Sequence, residues 1–588
     1  METDIIKKNW FAIVVFALIA LMIVLPIFKN ITYWGTNDWD QHFFYYESAR
    51  KSIIEYKQFP LWNPWYCGGN ALLAHPESAF LYPLFIFNLI FGTVIGLKIQ
   101  IFLHLIIGMF GMWLLSKHFK LAKYSCYLPS IIFMLGSWFV SRMFVGHTLY
   151  LSFALLPYVF LFYLKSLRKF KFIILTAIFL TLMIFGGGTT YPLFLTLLFL
   201  GVYSVLRSLK FRSFIPIRNL IIIVIIVILF GAIKILPSLK FINEFSQPLT
   251  DEQPTNFNTL YNSLFSRNQD YRSRIYYAET SFKESYYRGS ELINVNLKAR
   301  SVWAWHEYSA YIGIIPLLLF IFSIVFFFKK YWDLIITSLI FLIFYLGYKF
   351  YLWKLLTYLP FIESLHGPSR AIMVFVFILA ILAGIGISFL EEGKKIKMKK
   401  KHYIIIALIL IVLIDFFLIS MPIYSKIFVV KPLKMEQKTF LQVMVEDKII
   451  SQFPNLLQNV GSVNCYERVH PAYAAAPVIY SNRTLYPYYH GEAFLFSTNE
   501  TQVLEFSPNK FAIKVDTDKE DILILNQNYF NDWKIKDREV KQFLGKVTTT
   551  VNSNDKEIIF YYLPNIFIVG LIITIISLIL GLGYYFKK

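Results

Sequence analysis

Long apolar runs separated by short polar links dominate the hydrophobic pattern of this chain. Residues 11–28 (FAIVVFALIALMIVLPIF) and 219–236 (NLIIIVIIVILFGAIKIL) are two examples. Because about 20 apolar residues span the hydrocarbon core of a bilayer, runs of this length predict transmembrane helices. No small-residue cleavage pattern follows the first run, so we expect a retained helix rather than a signal peptide.

Counting these runs predicts about 12 membrane spans. Their approximate bounds are 10–28, 98–115, 125–141, 148–164, 172–187, 190–206, 219–236, 309–328, 333–349, 370–390, 402–420 and 563–584. The apolar stretch 80–96 is short and interrupted by Pro83, so we expect an interfacial or re-entrant segment there. The pattern therefore predicts a mainly α-helical, polytopic membrane protein.

A second periodicity begins late in the chain. Apolar and polar residues alternate in 510–517, 521–528, 547–553 and 557–563, which is typical of half-buried strands. We expect these strands to form a small extracytoplasmic all-β domain near the C-terminus. The predicted organisation is a transmembrane module over 1–420 with extracytoplasmic loops 29–80 and 237–308, an extracytoplasmic region over 421–562 that is β-rich in its second half, and a final helix with a cytoplasmic tail over 563–588.

Charge gives these elements an orientation. The net charge is +21 at a mean hydropathy of +0.55, and the basic residues concentrate in short links such as 116–123, 165–171, 207–218 and 394–401. Basic links mark the cytoplasmic face of a membrane protein, where they meet anionic lipids. The positive charge therefore predicts anionic membrane lipids as partners, not nucleic acid. It predicts cytoplasmic termini and places all the large loops outside the plasma membrane.

Cysteine usage adds one constraint. The chain has three cysteines, Cys67, Cys126 and Cys465, without repeated spacing. An odd count of this kind excludes a disulfide framework or a zinc ribbon. Cys67 and Cys465 both fall in predicted outer regions, where they can pair.

The first outer loop carries candidate chemistry in TNDWDQH, residues 36–42. Asp38 and Asp40 lie two residues apart beside the bilayer. One carboxylate can act as the general base that takes a proton from an attacking hydroxyl. The other can orient a group or hold a divalent cation such as Mg²⁺ or Mn²⁺, although Asp-x-Asp alone is not specific for a metal. The alternative is that both acids are solvated charges in a wet loop.

The rest of that loop, residues 58–83, is rich in proline, tryptophan, glycine and histidine. Prolines fix φ and glycines permit close approach, so this composition favours a shaped loop over a passive linker. Its tryptophans either belong to an interfacial aromatic belt or stack on a sugar ring. The candidates to bind a sugar or an acceptor are His42, Trp62, Trp65, His75 and, near the outer bilayer surface, Glu307.

Several basic residues fall on the predicted outer face, against the charge rule. Arg142, His147 and Arg370 lie beside helix ends, and the loop 262–300 includes Arg272 and Arg274. The planar fork of arginine suits phosphate oxygens, so an anionic ligand such as a lipid phosphate would explain them. Snorkelling of Arg142 and a solvated loop with compensating acids are the alternatives.

One acid, Asp415, lies well inside a predicted span, near its outer end. Charged residues within a membrane are candidates for function. A cap or a partner for a neighbouring helix is the alternative role.

Taken in order, several of these patterns resemble the YfhO-like bacterial membrane proteins, which are grouped with GT-C type glycosyltransferases. The resemblance covers most of the chain. It rests on DWDQH (38–42), FPLWNPWYCGGNALLAHPESAFLYP (59–83), FVSRMFVGHTLYLSFALLPYVF (139–160), LPSLKFINEFSQP (236–248), HEYSAYIGIIPLLL (306–319), LPFIESLHGPSRAIM (359–373) and FSPNKFAIKVDTDKEDILILNQNYFNDWKI (506–535). The chain departs from the family pattern at NDWKI, where a glycine commonly precedes the tryptophan.

The resemblance implies a GT-C fold and the transfer of a sugar from a polyprenyl-phosphate donor to an envelope glycan, polymer or protein outside the membrane. It implies a catalytic aspartate in the first loop, here Asp40 by its spacing, with Asp38 as the second candidate. Arg142, His147, Arg370, Arg272 and Arg274 would then hold the donor phosphate. Two alternatives stay open: a lipid or glycan transporter or flippase, for which inverted repeats and mid-bilayer charges would be expected, and a non-catalytic envelope assembly or binding protein.

Overall fold

The structure is a computed structural model of the chain. It describes residues 2–245, 255–267, 269, 281–288, 291–298, 305–347, 353, 355–356, 358, 367–392, 401–444, 452–463, 474–478, 486–498 and 501–587.

Most of the described chain is helical, and the apolar runs form the longest helices. The helices are α1 (Glu2–Lys29), α2 (Trp39–Ile54), α3 (Ile86–Phe91), α4 (Thr93–His118), α5 (Tyr127–Leu135), α6 (Ser137–Val145), α7 (Leu156–Ser166), α8 (Phe172–Phe185), α9 (Tyr191–Phe211), α10 (Ile215–Phe230), α11 (Ala232–Phe245), α12 (Phe257–Phe265), α13 (Ile314–Tyr345), α14 (Ile372–Glu392), α15 (Lys401–Tyr424), α16 (Gln452–Leu457) and α17 (Asn565–Phe586). Short 3₁₀ segments at Pro83–Phe85, Thr148–Leu155, Trp305–Glu307 and Pro368–Ala371 precede α3, α7, α13 and α14.

Among the described residues, nine helical segments are long and apolar enough to cross a membrane, and the bent pair α10–α11 makes a tenth. The chain is therefore a multi-pass helical membrane protein. The sequence count of about 12 is higher for two reasons. It includes α8, which has only 14 residues, and it divides α13 into two spans.

α13 reverses direction at Tyr331, whose φ of −124° and ψ of 23° are not helical. A straight helix of its 32 residues would be about 48 Å long. Instead, both ends contact Ser263 of α12. The Ala310 N–H, just before α13, donates to the Ser263 carbonyl (3.3 Å), and the Tyr345 hydroxyl lies 2.8 Å from Ser263 Oγ. α13 is thus two antiparallel arms.

The basic links meet at one end of the helices. Lys117 at the end of α4 donates to Asn9 in the first part of α1 (2.9 Å). Lys210 at the end of α9 lies 2.7 Å from the Asp333 carboxylate, next to the turn within α13. We call this the basic end. α1 runs from it to the opposite end, the loop end, which carries the first loop (residues 30–80) and the β-domain described next.

The late alternating pattern forms two antiparallel sheets, and this prediction of a C-terminal β region is confirmed. The strands are β1 (Trp34–Gly35), β2 (Trp62–Asn63), β3 (Asn70–Ala71), β4 (Ser281–Arg288), β5 (Glu291–Lys298), β6 (Phe428–Val430), β7 (Leu441–Val443), β8 (Val460–Ser462), β9 (Ala493–Leu495), β10 (Gln502–Ser507), β11 (Lys510–Lys514), β12 (Asp521–Asn528), β13 (Trp533–Lys534), β14 (Lys541–Phe543), β15 (Lys546–Val551) and β16 (Glu557–Tyr562). The sheet orders are β10-β11-β16-β13 and β14-β15-β12-β9, which together form the β-domain. Phe511, Ile513, Leu523 and Leu525 are fully buried in it.

The first loop docks on this domain through strand β12. Trp62 Nε1 donates to Gln527 Oε1 (2.9 Å), and Asn528 Nδ2 donates to the Gly69 carbonyl (3.0 Å). Cys67 in the same loop forms a disulfide, whereas Cys126 is free and buried. Cys465 lies outside the described residues. The loop is therefore fixed by contacts with a region more than 400 residues later in the chain.

Candidate functional site

A buried cluster of charged side chains lies at the loop end, where α6 and the segments before α13 and α14 meet. Its centre is Glu307, which is 1% exposed. Arg370 donates to both carboxylate oxygens at 2.7 Å, and Arg142 lies at 2.9 and 3.0 Å from the same two oxygens. Burial raises the pKa of Glu307, but Arg142 and Arg370 outweigh it and hold that pKa well below its usual range. Glu307 therefore stays ionised.

Arg142 extends this cluster to the first loop. Its Nη1 lies 3.2 Å from His147 Nδ1, and His147 Nε2 lies 2.9 Å from Asp38 Oδ2. A guanidinium group can only donate, so Nδ1 accepts and the neutral imidazole donates from Nε2 to Asp38. The Asp38 side chain is 24% exposed. It is therefore the solvent-facing carboxylate of the cluster, joined to the buried one by Arg142 and His147.

A close backbone approach explains why Asp38 meets His147. Gly146 ends α6 with φ of 98°, a left-handed conformation that favours glycine. A Cβ atom on Gly146 would lie 2.5 Å from the backbone nitrogen of Trp39, so a larger residue would separate the two segments. The Trp39 indole then donates to the Met143 carbonyl (2.8 Å) and fixes the start of α2 against the end of α6.

His42 lies one turn further along α2, since its N–H donates to the Asp38 carbonyl (3.0 Å). Its Nδ1 is 2.8 Å from Thr148 Oγ1, and its Nε2 is 3.9 Å from the Glu77 carboxylate. The Glu77 N–H in turn donates to Nδ1 of the buried His75 (3.3 Å). These predicted sugar or acceptor residues thus form a second polar group, beside Asp38.

Asp40 has a different environment. Its two carboxylate oxygens accept the backbone N–H groups of Gln452 (2.9 Å) and Phe453 (3.1 Å), the first residues of α16. The first N–H groups of a helix have no partner within the helix, and an acid placed there is stabilised by them. Asp40 therefore joins α2 to α16, and it is buried.

Two other predicted residues, Trp62 and Trp65, lie away from this cluster. Trp62 and Trp65 are fully buried, and their indoles donate to Gln527 and Asn459 (2.9 Å each). They pack between the first loop and later parts of the chain. Arg272 and Arg274 lie outside the described residues.

Three possible metal ligands come together in the cluster. Ligand atoms of His147, His306 and Glu307 lie within 4.8 Å of one another. Burial lowers the pKa of His306 to about 4, so its ring is neutral. However, Arg142 and Arg370 already bind Glu307, and two guanidinium charges would repel a cation there. These residues therefore fit a metal poorly.

The predicted metal pair fits no better. Asp38 faces His147, whereas Asp40 faces the beginning of α16. With such different partners, the two carboxylates do not form a shared set of ligands.

Two adjoining cavities connect the cluster to the apolar surface of the helices. The smaller, of about 190 Å³, has polar groups from Ser141, Gln269 and His306. The larger is a groove of about 710 Å³ between α12, α13 and α15, lined mostly by apolar side chains. Arg267 and Leu418 line both. The smaller cavity, which we call the chamber, therefore adjoins the apolar groove at these two residues.

Arg267 stands at the junction of the chamber and the groove. It forms an ion pair with Asp415, the acid that the sequence places inside a span. The Tyr311 hydroxyl also donates to Asp415, at 2.8 Å. The charge of Asp415 is therefore balanced where α15 borders the groove.

Several members of the site are not among the residues that the sequence predicts for it. His306 adjoins Glu307, and Arg267 belongs to the unusually basic outer loop, so both had a signal. Tyr191, whose ring centroid lies 3.8 Å from the Arg370 guanidinium, follows the glycine-rich turn 186–190, but nothing in the sequence pairs it with Arg370.

The sequence matches no family model and no curated protein. Among solved structures, it is similar to the arabinofuranosyltransferase AftD from Mycobacteria, determined by single-particle cryo-EM, with 11% sequence identity and a TM-score of 0.44. The match covers 70% of this chain and 27% of the AftD chain. The matched part is thus about a quarter of the length of AftD.

Proposed function

We propose that this protein is a GT-C type glycosyltransferase that transfers a sugar from a polyprenyl-phosphate donor to an acceptor outside the plasma membrane. The supporting observation is the apolar groove that adjoins, at Arg267 and Leu418, a chamber with polar groups from Ser141, Gln269 and His306 beside the Asp38–Glu307 cluster. A donor with a long apolar tail and a charged head matches this order of surfaces. The tail lies in the groove, the phosphate meets Arg267, and the sugar enters the chamber.

In this proposal, Asp38 rather than Asp40 is the general base. Asp38 is partly exposed and its orientation is set by the His147 N–H, whereas both oxygens of Asp40 accept backbone N–H groups. Asp38 takes the proton of the acceptor hydroxyl while the hydroxyl oxygen bonds to the anomeric carbon. The bond between that carbon and the phosphate oxygen breaks, and the lipid phosphate leaves with the electron pair.

Positive charge near the chamber stabilises the leaving phosphate. Glu307 neutralises one of the two guanidinium groups that bind it, so this trio keeps one net positive charge. Arg267, whose charge Asp415 balances, still offers N–H donors at the junction with the groove. Fixed charges of this kind act on a developing anion without reorganising. We assign Glu307 the role of positioning Arg142 and Arg370 instead of contacting sugar.

The proposed acceptor is an envelope glycan, polymer or protein, and two observations support an extracytoplasmic site. The basic links gather at the end opposite the first loop, and basic links face the cytoplasm. Cys67, in the first loop, forms a disulfide. Disulfides persist in oxidising compartments and are rare in the cytosol.

The test is turnover of a labelled polyprenyl-phosphate sugar by purified protein. Asp38→Asn should lower turnover at least about 100-fold, the usual contribution of a general base, without lowering the melting temperature. Asp40→Asn is the matched control. It should cost about 1–3 kcal/mol of stability, because its NH₂ group cannot accept one of the two backbone N–H groups that Asp40 binds, and leave turnover per folded molecule within a few-fold.

Full turnover by Asp38→Asn would refute the assignment of the base. Absence of turnover by the wild-type protein across a set of polyprenyl-phosphate sugars, together with facilitated movement of those lipids across liposomes, would favour the transporter hypothesis instead.

A further inference from the structure

The sheet β14-β15-β12-β9 carries a large cleft that the transfer site does not use. Its volume is about 860 Å³, within the range of sites for small molecules and short polymers. Phe494 of β9 and Ile524 of β12 face each other across the two strands and form part of its floor. Tyr488 and Phe496, at its mouth, are 68% and 58% exposed. Large aromatic side chains that stand in solvent beside a cavity indicate a binding surface.

Aromatic rings surround the cleft as pairs. The pairs are Tyr486–Tyr488, His490–Phe494 and Phe496–Phe543, with centroids 5.3 to 5.6 Å apart. Polar groups lie among these rings: the tyrosine hydroxyls, the His490 imidazole and the Lys546 ammonium. Among the described residues that line the cleft, none is acidic. The lining thus combines flat apolar faces with hydrogen-bonding groups at their edges.

The cleft is built in advance by side chains of β12. Asn526 accepts the Ala476 N–H (2.7 Å) and donates to the Ala476 carbonyl (2.9 Å), while Asn528 accepts the Ala474 N–H (3.1 Å). These bonds fix the wall segment 474–478 against the sheet. A wall that is ordered before a ligand arrives reduces the entropy lost on binding.

The same strand also holds the first loop. The side-chain amide of Asn528 makes two bonds: its NH₂ group donates to the Gly69 carbonyl, and its oxygen accepts the Ala474 N–H. The neighbouring Gln527 accepts the indole N–H of Trp62. The cleft wall and the loop that carries Asp38 are therefore anchored on consecutive residues. A ligand in the cleft would lie on the same rigid body as the transfer loop.

We infer that this cleft binds a saccharide, namely the acceptor chain on which the proposed transfer takes place. The inference rests on the proposed function. A pyranose ring has C–H faces that pack on aromatic rings and hydroxyl groups that bond at the ring edges, which matches the lining. Lys546 interacts electrostatically with the buried Glu492 behind the lining, so the cleft favours a neutral saccharide.

The inference can be tested by direct binding, with the full-length protein in nanodiscs. The probes are fluorescent chitotetraose, maltotetraose, cellotetraose and mannotetraose. We expect at least one to bind the wild-type protein and to bind the double variant Tyr488→Ala/Phe496→Ala at least ten-fold more weakly. Leu504→Ala, which removes an exposed side chain of β10 on the other sheet, is the matched control and should bind as the wild type does.

Failure of all four probes to bind, or equal binding by the double variant, would overturn the inference. Turnover separates this result from the proposed function. If a probe binds through Tyr488 and Phe496 but no polyprenyl-phosphate sugar is turned over, the saccharide cleft is supported and the transferase function is rejected. If the double variant turns over the donor with an unchanged acceptor KM, the transferase function is supported and the cleft is rejected as the acceptor site.

Discussion

Glu307 shows how one residue organises the site. Its carboxylate binds Arg142 of α6 and Arg370 before α14, and so joins segments that are 228 residues apart in the chain, from 142 to 370. The ion pairs are fully enclosed, and each guanidinium also lies over a ring, that of Tyr150 or Tyr191. Such an arrangement is stable only while every charge keeps its partner.

Glu307→Gln should therefore destabilise the protein strongly. The variant leaves two buried arginines against a neutral amide, and breaking a buried pair costs about 3–5 kcal/mol. The measurement is the thermal melt of purified protein. Glu505→Gln is the control, because Glu505 pairs with Lys510 at the surface (2.6 Å). The free energy of unfolding of this variant should stay within about 0.5 kcal/mol of the wild-type value. Equal melts for the two variants would contradict this account of Glu307.

Arg267 allows a test of the proposed phosphate-bearing donor. Arg267→Ala should raise the KM for a polyprenyl-phosphate sugar about ten-fold or more, and Arg267→Lys should recover part of the loss because it keeps the charge but not the fork. Arg538→Ala, which removes a surface partner of Asp555 in the β-domain, should leave KM unchanged. Equal KM values for the wild type and Arg267→Ala would remove Arg267 from the donor site.

The two aspartates of the first loop show the limit of sequence at this scale. Their residue type and spacing identify a candidate pair, but the partner of Asp40 lies 412 residues away, at Gln452. Asp38 finds His147 109 residues away. Which acid caps a helix and which faces solvent depends on these distant contacts. The family resemblance therefore favours Asp40 as the base, whereas the geometry is the reason why we propose Asp38.

Whole elements were more predictable than single pairings, because their signals are local. β11, β12 and β16 lie within three of the alternating segments, and β15 begins one residue before the fourth, since period-2 alternation is a direct consequence of a half-buried strand. The apolar runs likewise coincide with helices. The short helix α3 was less evident from the sequence than the long spans. It ends at Phe91, and Gly92, with φ of 79°, separates it from α4.

A pH effect is expected in the strands around Glu492. This buried carboxyl bonds to the Gln442 N–H of β7 (2.8 Å) and the Asn526 amide of β12 (3.2 Å), and burial raises its pKa to about 7. Because the folded state holds the proton more tightly, stability is greatest below pH 4.5 and declines as the pH rises to about 7. The loss is at most about 3 kcal/mol.

Hydrogen exchange of the β7 and β12 amides in full-length protein at pH 5 and pH 8, corrected for intrinsic rates, measures this change. Opening should be easier at pH 8 in the wild type. Glu492→Gln cannot ionise, so it should show the same opening free energy at both values. A wild-type protein without any difference between the two conditions would show that Glu492 titrates normally.

At the scale of the whole molecule, the arrangement of charges predicts topology. In intact cells, a membrane-impermeant maleimide should label Leu544→Cys, an exposed position of the β-domain. It should label Lys330→Cys, at the α13 turn on the basic end, only after lysis. Labelling of both from outside would contradict the proposed orientation.

The class of molecule follows from composition and hydropathy, because burial in lipid demands long apolar runs. The docking of the first loop on the β-domain does not follow from composition or hydropathy. It depends on hydrogen bonds between residues such as Trp62 and Gln527, 465 positions apart, and no periodicity reports a contact of that length. The shape of the site therefore emerges only in three dimensions.

That docking also sets an order of events during biosynthesis. Gln527 is made 465 residues after Trp62, which at ordinary translation rates is a delay of roughly 20 to 90 s. Throughout this interval the first loop has left the membrane without the strand that shapes it. Asp38 is thus among the earliest residues made, while the surface that fixes its loop is among the last. A nascent or prematurely terminated chain therefore inserts into the membrane with Asp38 present but with its first loop not yet docked on the β-domain.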